Sequence, residues 1–191
     1  AELAFRALVE RHGAMVFRVC RAVLRDVHEA EEAFQATFLV LARRAGSLWV
    51  RDTLGPWLHQ VAHRTSVCAR ATTARRRRHE LRVAELADRA EDGAELDDVG
   101  DVVHQELGRL PPRYREAVVL CLLEGLTPEQ AARQLDCPVG TVHSRLARGR
   151  EQLRSRLARR GLSVPVAVLA DGATAPADSL IQSAIRAGTG T

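Results

Sequence analysis

Apolar residues recur every three to four positions along most of the chain, and the strict alternation that marks a half-buried strand is absent. Leu3, Ala7, Leu8, Ala14, Met15, Val19, Ala22 and Val23 keep that period and predict a first helix or helix pair, broken near Gly13 and ending around Arg25. Asp26 can cap a second helix from about His28 to Ala45. On it Ala30, Phe34, Thr37, Phe38 and Leu41 share one face, and Glu32, Gln35, Ala36, Leu39 and Arg43 point the other way. A leucine on that polar face, Leu39, invites a partner.

Gly46 ends the second helix, and residues 47–55 read as a loop before Pro56 opens a third at its tolerated first position. Trp57, Val61, Arg64 or Thr65, and Cys68 fall on one face, and the helix runs into Arg75–Arg78. Further on come an apolar segment from Val103 to Leu110, a Pro111-Pro112 break, a helix from Arg113 to Glu124, and Gly125 as its stop. Thr127 and Gln130 have the spacing of a capping box for a short helix reaching about Leu135. Asp136-Cys137-Pro138 then turns the chain into a long helix with Val142, Leu146, Gly149, Leu153 and Leu157 in one stripe.

Helix, three-residue turn, helix is the pattern of a helix-turn-helix. Ala131 and Ala132 are small enough for a close crossing, whereas a generic helical hairpin would not need so short a turn. The tail carries an apolar stretch, 164–170, and a short helical pattern from Asp178 to Ala187. That tail is either disordered, or its strip of Leu180, Ile181, Ala184 and Ile185 docks on a module and tunes activity.

Composition places these elements in an all-α protein: 46% of 191 residues are hydrophobic and 27% charged, which excludes a disordered chain. No apolar run reaches the roughly 18–20 residues of a membrane span, and the start lacks a secretory leader, so a cytoplasmic location is expected. Cys20, Cys68, Cys121 and Cys137 form no CxxC pair and read as reduced thiols. The first residue is not methionine, so part of the first helix is expected to lie upstream.

Charge sharpens the picture more than composition does. All 28 basic residues are arginine, with six between Arg64 and Arg78 and seven between Val139 and Arg160. Nine acids fall between Glu80 and Asp101, which reads as a solvated linker joining two modules. Arginine forks suit phosphate, so the layout fits a polyanion; the plainer account is a coding bias that replaced lysine throughout.

On the last long helix, the face opposite the apolar stripe carries Gly140, Ser144, Ala147, Arg148, Glu151 and Ser155, flanked by Thr141 and His143. Arg148 can fork to a guanine edge, while Arg145, Arg150 and Arg133 are placed for phosphates. Arg154, Arg156, Arg159 and Arg160 have a plainer reading as solvated cations at a helix C-terminus. No catalytic constellation, phosphate loop or HExxH is present, so no enzyme and no cofactor is expected. His59 and His63 lie one turn apart with Cys68 beyond, but a third ligand is not suitably spaced and they read as surface histidines rather than a metal site.

Three stretches, Asp26 to Phe38, Pro56 to Arg64 and Leu110 to Ala117, stand in a familiar order. With Gly125 to Ala132 and Gly140 to Leu146 added, residues 5–160 resemble the extracytoplasmic function group of the σ70 family, the sigma factors of bacterial RNA polymerase. Ala36 departs from the family's usual glutamate, Arg64 from a common asparagine and Cys68 from a common aspartate.

The resemblance implies two small helical domains: region 2 at 1–78 and a region 4 helix-turn-helix at 103–160, joined by an acidic linker, 79–102, with an Ala/Gly-rich tail at 161–191. It implies core RNA polymerase as partner, region 2 on the β′ clamp helices through Glu31, Glu32, Gln35 and Leu39, and region 4 on the β flap. Promoter DNA would be bound at the −10 element by Trp49, Arg51, Arg64, Arg70, Arg75 and Arg76, the 47–55 loop capturing a flipped base. At the −35 element the contacts would be Arg133, Thr141, His143, Ser144, Arg145 and Arg148. An anti-sigma factor covering both modules is a further implied partner. An autonomous helix-turn-helix regulator is the alternative, and it would need no polymerase-binding face.

Overall fold

Gly13 does not break the first helix. The computed structural model describes residues 2–46, 53–83, 98–162 and 176–189, and α1 runs unbroken from Glu2 to Val23. A glycine costs a helix about 1 kcal/mol relative to alanine, and here tertiary packing outweighs that cost. Gly13 is buried and faces the Phe34 ring, where a Cβ would lie 3.7 Å from the ring carbons. α2 (Val27–Arg44) starts where its cap requires: the Asp26 carboxylate accepts the Glu29 amide at 3.0 Å, and that bond holds its pKa below the usual range. Ala30, Phe34, Thr37, Phe38 and Leu41 are buried as their shared face demands.

α3 (Leu54–Val83) begins two residues ahead of Pro56, which therefore sits in the first turn, where its missing N–H is no loss. Its buried face is Gly55, Leu58, His59, Ala62 and Ser66. The face drawn from Trp57, Val61 and Cys68 is corrected by this: Trp57, Val61 and Thr65 are half-buried, and Arg64 and Cys68 are exposed. α3 packs against α1 and α2 and also against α4 and the segment after α5, so its buried side is set by several elements at once and the Trp57 ring is left half-buried on the flank.

The stretch expected as a linker is helical at both ends, since α3 passes Arg78 to reach Val83 and α4 spans Asp98–Gly108. Residues 84–97 lie outside those described, as does the apolar stretch at 164–170. Asp101 is not solvated. It is buried, accepts from His63 Nε2 at 2.8 Å and pairs with Arg70 Nη2 at 2.5 Å.

α5 (Pro112–Val118) passes into a π-helical segment, Val119–Leu123, where a plain α-helix to Glu124 is expected from the sequence. The wider turn shows in Glu124 N donating to Val119 O at 3.0 Å, and Gly125, at φ +69°, ends it. The capping box forms: Thr127 N donates to Gln130 Oε1 at 2.9 Å and Gln130 N to Thr127 Oγ1 at 3.3 Å. α6 (Pro128–Gln134) then turns through Asp136, at φ 46°, into α7 (Val139–Arg159). All five residues of the expected stripe on α7 are buried.

Gly149 sets the distance between α7 and α5. A Cβ there would stand 2.7 Å from Val118 Cγ2 and 3.2 Å from the Tyr114 carbonyl oxygen, which is backbone and cannot swing away. Helix propensity alone would make Gly149→Ala stabilising by about 1 kcal/mol. Overpacking reverses the sign, so the variant is expected to lose about 1–3 kcal/mol, read as a lower Tm. A raised Tm would contradict the close approach.

One hydrophobic core runs from Val9, Phe34 and Leu58 through Leu107, Val118 and Leu123 to Leu157, and on to Leu180 and Ile185 of α8 (Asp178–Thr189). A smaller cluster of Leu120, Ala131, Ala132 and Val142 holds the helix-turn-helix itself. Arg156 and Arg160 are more than solvated C-terminal cations. With Arg109 they converge on the buried Glu106 carboxylate at 3.4, 3.0 and 2.7 Å. Burial alone would raise the pKa of Glu106, but the bonds and charges of the three arginines outweigh it and hold the group ionised.

Candidate functional site

α6 rests on the inner side of α7 through Ala131, Ala132 and Val142, which leaves the outer side of α7 open. Gly140, His143, Ser144, Ala147, Arg148, Arg150 and Glu151 are exposed there, with Thr141, Arg145 and Ser155 half-buried. Arg133 is exposed on α6 beside them. Ser144 Oγ donates to Thr141 O at 3.0 Å, which ties two candidate base-reading residues into one unit. Arg145 leans back toward the turn, 3.9 Å from Cys137 Sγ. A hydrogen bond from Arg148 is the main cause holding the Tyr114 phenol below its ordinary pKa, with the nearby Arg113 adding to it.

The second basic surface is the far half of α3, where Arg64 and all four of Arg75 to Arg78 are exposed. Four consecutive arginines occupy all sides of a helix, so phosphates can be met from several directions. Arg70 is half-buried and turned to Asp101. Trp49 and Arg51 lie outside the described residues.

The third surface is the polar side of α2. Glu32 is exposed, while Glu31 and Gln35 are half-buried. Leu39, expected to stand open on this side, is half-buried as well. Gln35 Nε2 donates to Ser183 Oγ of α8 at 3.1 Å, a contact that no local pattern foretells.

A cluster that sequence reasoning missed joins the two halves of the chain. The His12 imidazole of α1 meets the Glu124 carboxylate at 2.6 Å, and Arg18 donates to the carbonyl of Leu123. His59 on α3 is fully buried, not a surface histidine, and its Nε2 lies 3.1 Å from Nδ1 of His104 on α4. Burial first, and the neighbouring positive groups second, push the pKa of His59 well below its usual value and that of His104 to about 4. The bond from His63, then that from Arg70, keep Asp101 below the usual carboxylate range against the opposing effect of burial. The one-turn spacing of His59 and His63 was the only hint in the sequence. Among the described residues no three His, Cys, Asp or Glu side chains are grouped to hold a metal, and no helix is long and apolar enough to cross a membrane.

Two family models match this arrangement: sigma-70 region 2 over residues 8–78, covering α1 to the arginine run of α3, and sigma-70 region 4 over residues 101–153, covering α4 to α7. An ECF RNA polymerase sigma-E factor of Haemophilus influenzae is 31% identical over 167 residues, covering 81% of this chain and 87% of its own length. The ECF RNA polymerase sigma factor SigE of Mycolicibacterium smegmatis is 33% identical over 161 residues, but this chain spans only 61% of its length. A solved sigma factor RpoE, in complex with the anti-sigma factor NepR from Bartonella quintana, covers 81% of the chain at 21% identity and a TM-score of 0.37. With both regions present in order and the outer side of α7 free, the chain belongs to the ECF group of the sigma-70 family of RNA polymerase sigma factors.

Proposed function

We propose that the chain binds core RNA polymerase and directs initiation at promoters carrying its −10 and −35 elements, with no bond chemistry of its own. The observation that carries this reading is the pair of exposed arginine surfaces, the end of α3 and the outer side of α7, on the two regions of one chain. On it, Arg148, Ser144, His143 and Thr141 read the −35 duplex in the major groove, and Arg133 and Arg145 hold its phosphates. Arg64, Arg75 and Arg76 track the opened −10 strand, joined by Trp49 and Arg51 of the preceding loop. Arg70 joins them once it leaves Asp101. Glu31, Glu32, Gln35 and Leu39 meet the β′ clamp helices, region 4 meets the β flap, and an anti-sigma factor is the regulator, acting in the cytoplasm.

The two elements lie about 25 base pairs apart, roughly 85 Å along B-form DNA. In the structure region 2 and region 4 touch through His12–Glu124 and His59–His104. On this reading those contacts part when the holoenzyme sits on a promoter.

The test is co-elution of the chain with bacterial core RNA polymerase on a sizing column, with Glu32→Ala/Gln35→Ala beside it. The chain is expected to travel with the polymerase and the double variant to lag. A chain that ignores polymerase yet retains duplex DNA would make it an autonomous helix-turn-helix regulator.

A further inference from the structure

The geometry points to a shared surface: the polar side of α2 is occupied in the free chain by the chain's own C-terminal helix, and core RNA polymerase must displace α8 to bind there. The inference rests on the reading of α2 as the polymerase-binding face.

α8 is amphipathic, and its apolar strip faces region 2: Leu180, Ala184 and Ile185 are buried at 5%, 1% and 2% exposure. It lies along α1 and α2, not along the DNA-reading helix α7. Two anchors set its ends. Pro176, just ahead of it, comes within van der Waals reach of the Cβ position of Gly13, and Gly188 near its C-terminus lies so close to the Phe5 ring that a Cβ there would stand 2.3 Å from ring carbons. Between them Ser183 accepts the Gln35 side-chain amide, a donor that the polymerase reading also needs.

Gln35 cannot serve both at once, and Leu39 and Ala36 on the same side of α2 are half-buried rather than open. Glu32, one turn earlier, stays exposed and offers a first foothold that does not require α8 to leave. Occupancy by α8 is intramolecular, so it competes at a high effective concentration without needing a strong contact of its own. Polymerase meets an open α2 for only a fraction of the time, and that fraction multiplies its intrinsic affinity.

Full-length Leu180→Asp/Ile185→Asp leaves α2 untouched and places two charges in the apolar seam. Its affinity for core RNA polymerase, measured by fluorescence anisotropy, is expected to rise about tenfold over the unsubstituted chain. A synthetic peptide of residues 176–189 added in trans at about millimolar concentration, to match the intramolecular value, is expected to return it toward the original value. Amide hydrogen exchange across 178–189 reports whether α8 has left.

Equal affinity of the two proteins with α8 released would overturn the occlusion while leaving the polymerase reading intact. Weaker binding by the variant, with a lower Tm, would make α8 a structural brace and overturn it also. If neither protein binds core, the reading of α2 itself fails.

Discussion

Phe34→Ala is expected to lower the unfolding free energy of the whole chain by about 4 kcal/mol, within the 3–5 kcal/mol usual for truncating a buried phenylalanine. The ring is fully buried, meets Phe17 edge-on with centroids 6.0 Å apart, and meets Phe38 at 5.0 Å. Its removal takes away apolar burial and both aromatic contacts at once, and leaves a void beside Gly13 that α1 and α2 cannot close without moving. A domain holds only about 5–15 kcal/mol in total, so one ring is a large share of it. Because one core spans both regions, the loss is expected to lower a single cooperative urea transition and not one of two. Val27→Ala, at a residue 46% exposed, is the matched control and is expected to change stability by less than about 0.5 kcal/mol. A Phe34→Ala loss no larger than that control would contradict the packing.

The second large effect is on pH dependence. His59 and His104 are both buried, and both take up a proton far less readily in the folded chain than the ordinary imidazole pKa of about 6.5 implies. Below that value the unfolded chain binds more protons than the folded one, so stability rises with pH. The contribution is complete above about pH 7 and is lost progressively as pH falls from 6.5 toward 4, where His104 protonates within the fold.

At about 1.4 kcal/mol per unit, His104 alone accounts for roughly 3 kcal/mol across that window. His63, Asp101, Arg115 and Arg18 bear on the same pair, and of these Asp101 has a lowered pKa, so its share disappears only in stronger acid. Urea midpoints at pH 7.5, 6.0, 5.0 and 4.5 are expected to fall steadily. Replacing both imidazoles, His59→Leu/His104→Leu, removes the titration without leaving a polar group unpaired, and is expected to flatten the curve. An unchanged slope in that variant would place the acid sensitivity elsewhere. The same junction holds region 2 against region 4, so mild acid is expected to weaken the contact between the two regions.

Local chemistry was legible wherever its partners lie within a turn or two. Asp26 as a cap, the Thr127–Gln130 box, Gly125 as a stop and the α7 stripe are contacts between residues at most four positions apart, or repeats at helical period, and each stands as the pattern requires. The outer side of α7 followed from the same arithmetic, because burying one stripe exposes its opposite. The π turn at Val119 was hidden, since its apolar run suits an α-helix equally well.

Legible from the chain alone, therefore, were the helical character, the caps at Asp26 and Thr127, the helix-turn-helix and the two arginine surfaces, whereas the bounds of α3 and α4 were not. The tertiary structure alone decided that α1 runs through Gly13, that α3 buries His59 and Ser66 in place of Trp57, and that Asp101 sits among His63 and Arg70. It also decided that α8 lies on α2. Each of these depends on which distant face arrives, across separations of 31 to 148 residues for the Asp101–Arg70 and Gln35–Ser183 contacts. Helical period and capping are settled by neighbours along the chain, whereas burial is settled by neighbours in space, and a polar residue becomes an anchor only when its partner comes from elsewhere in the fold.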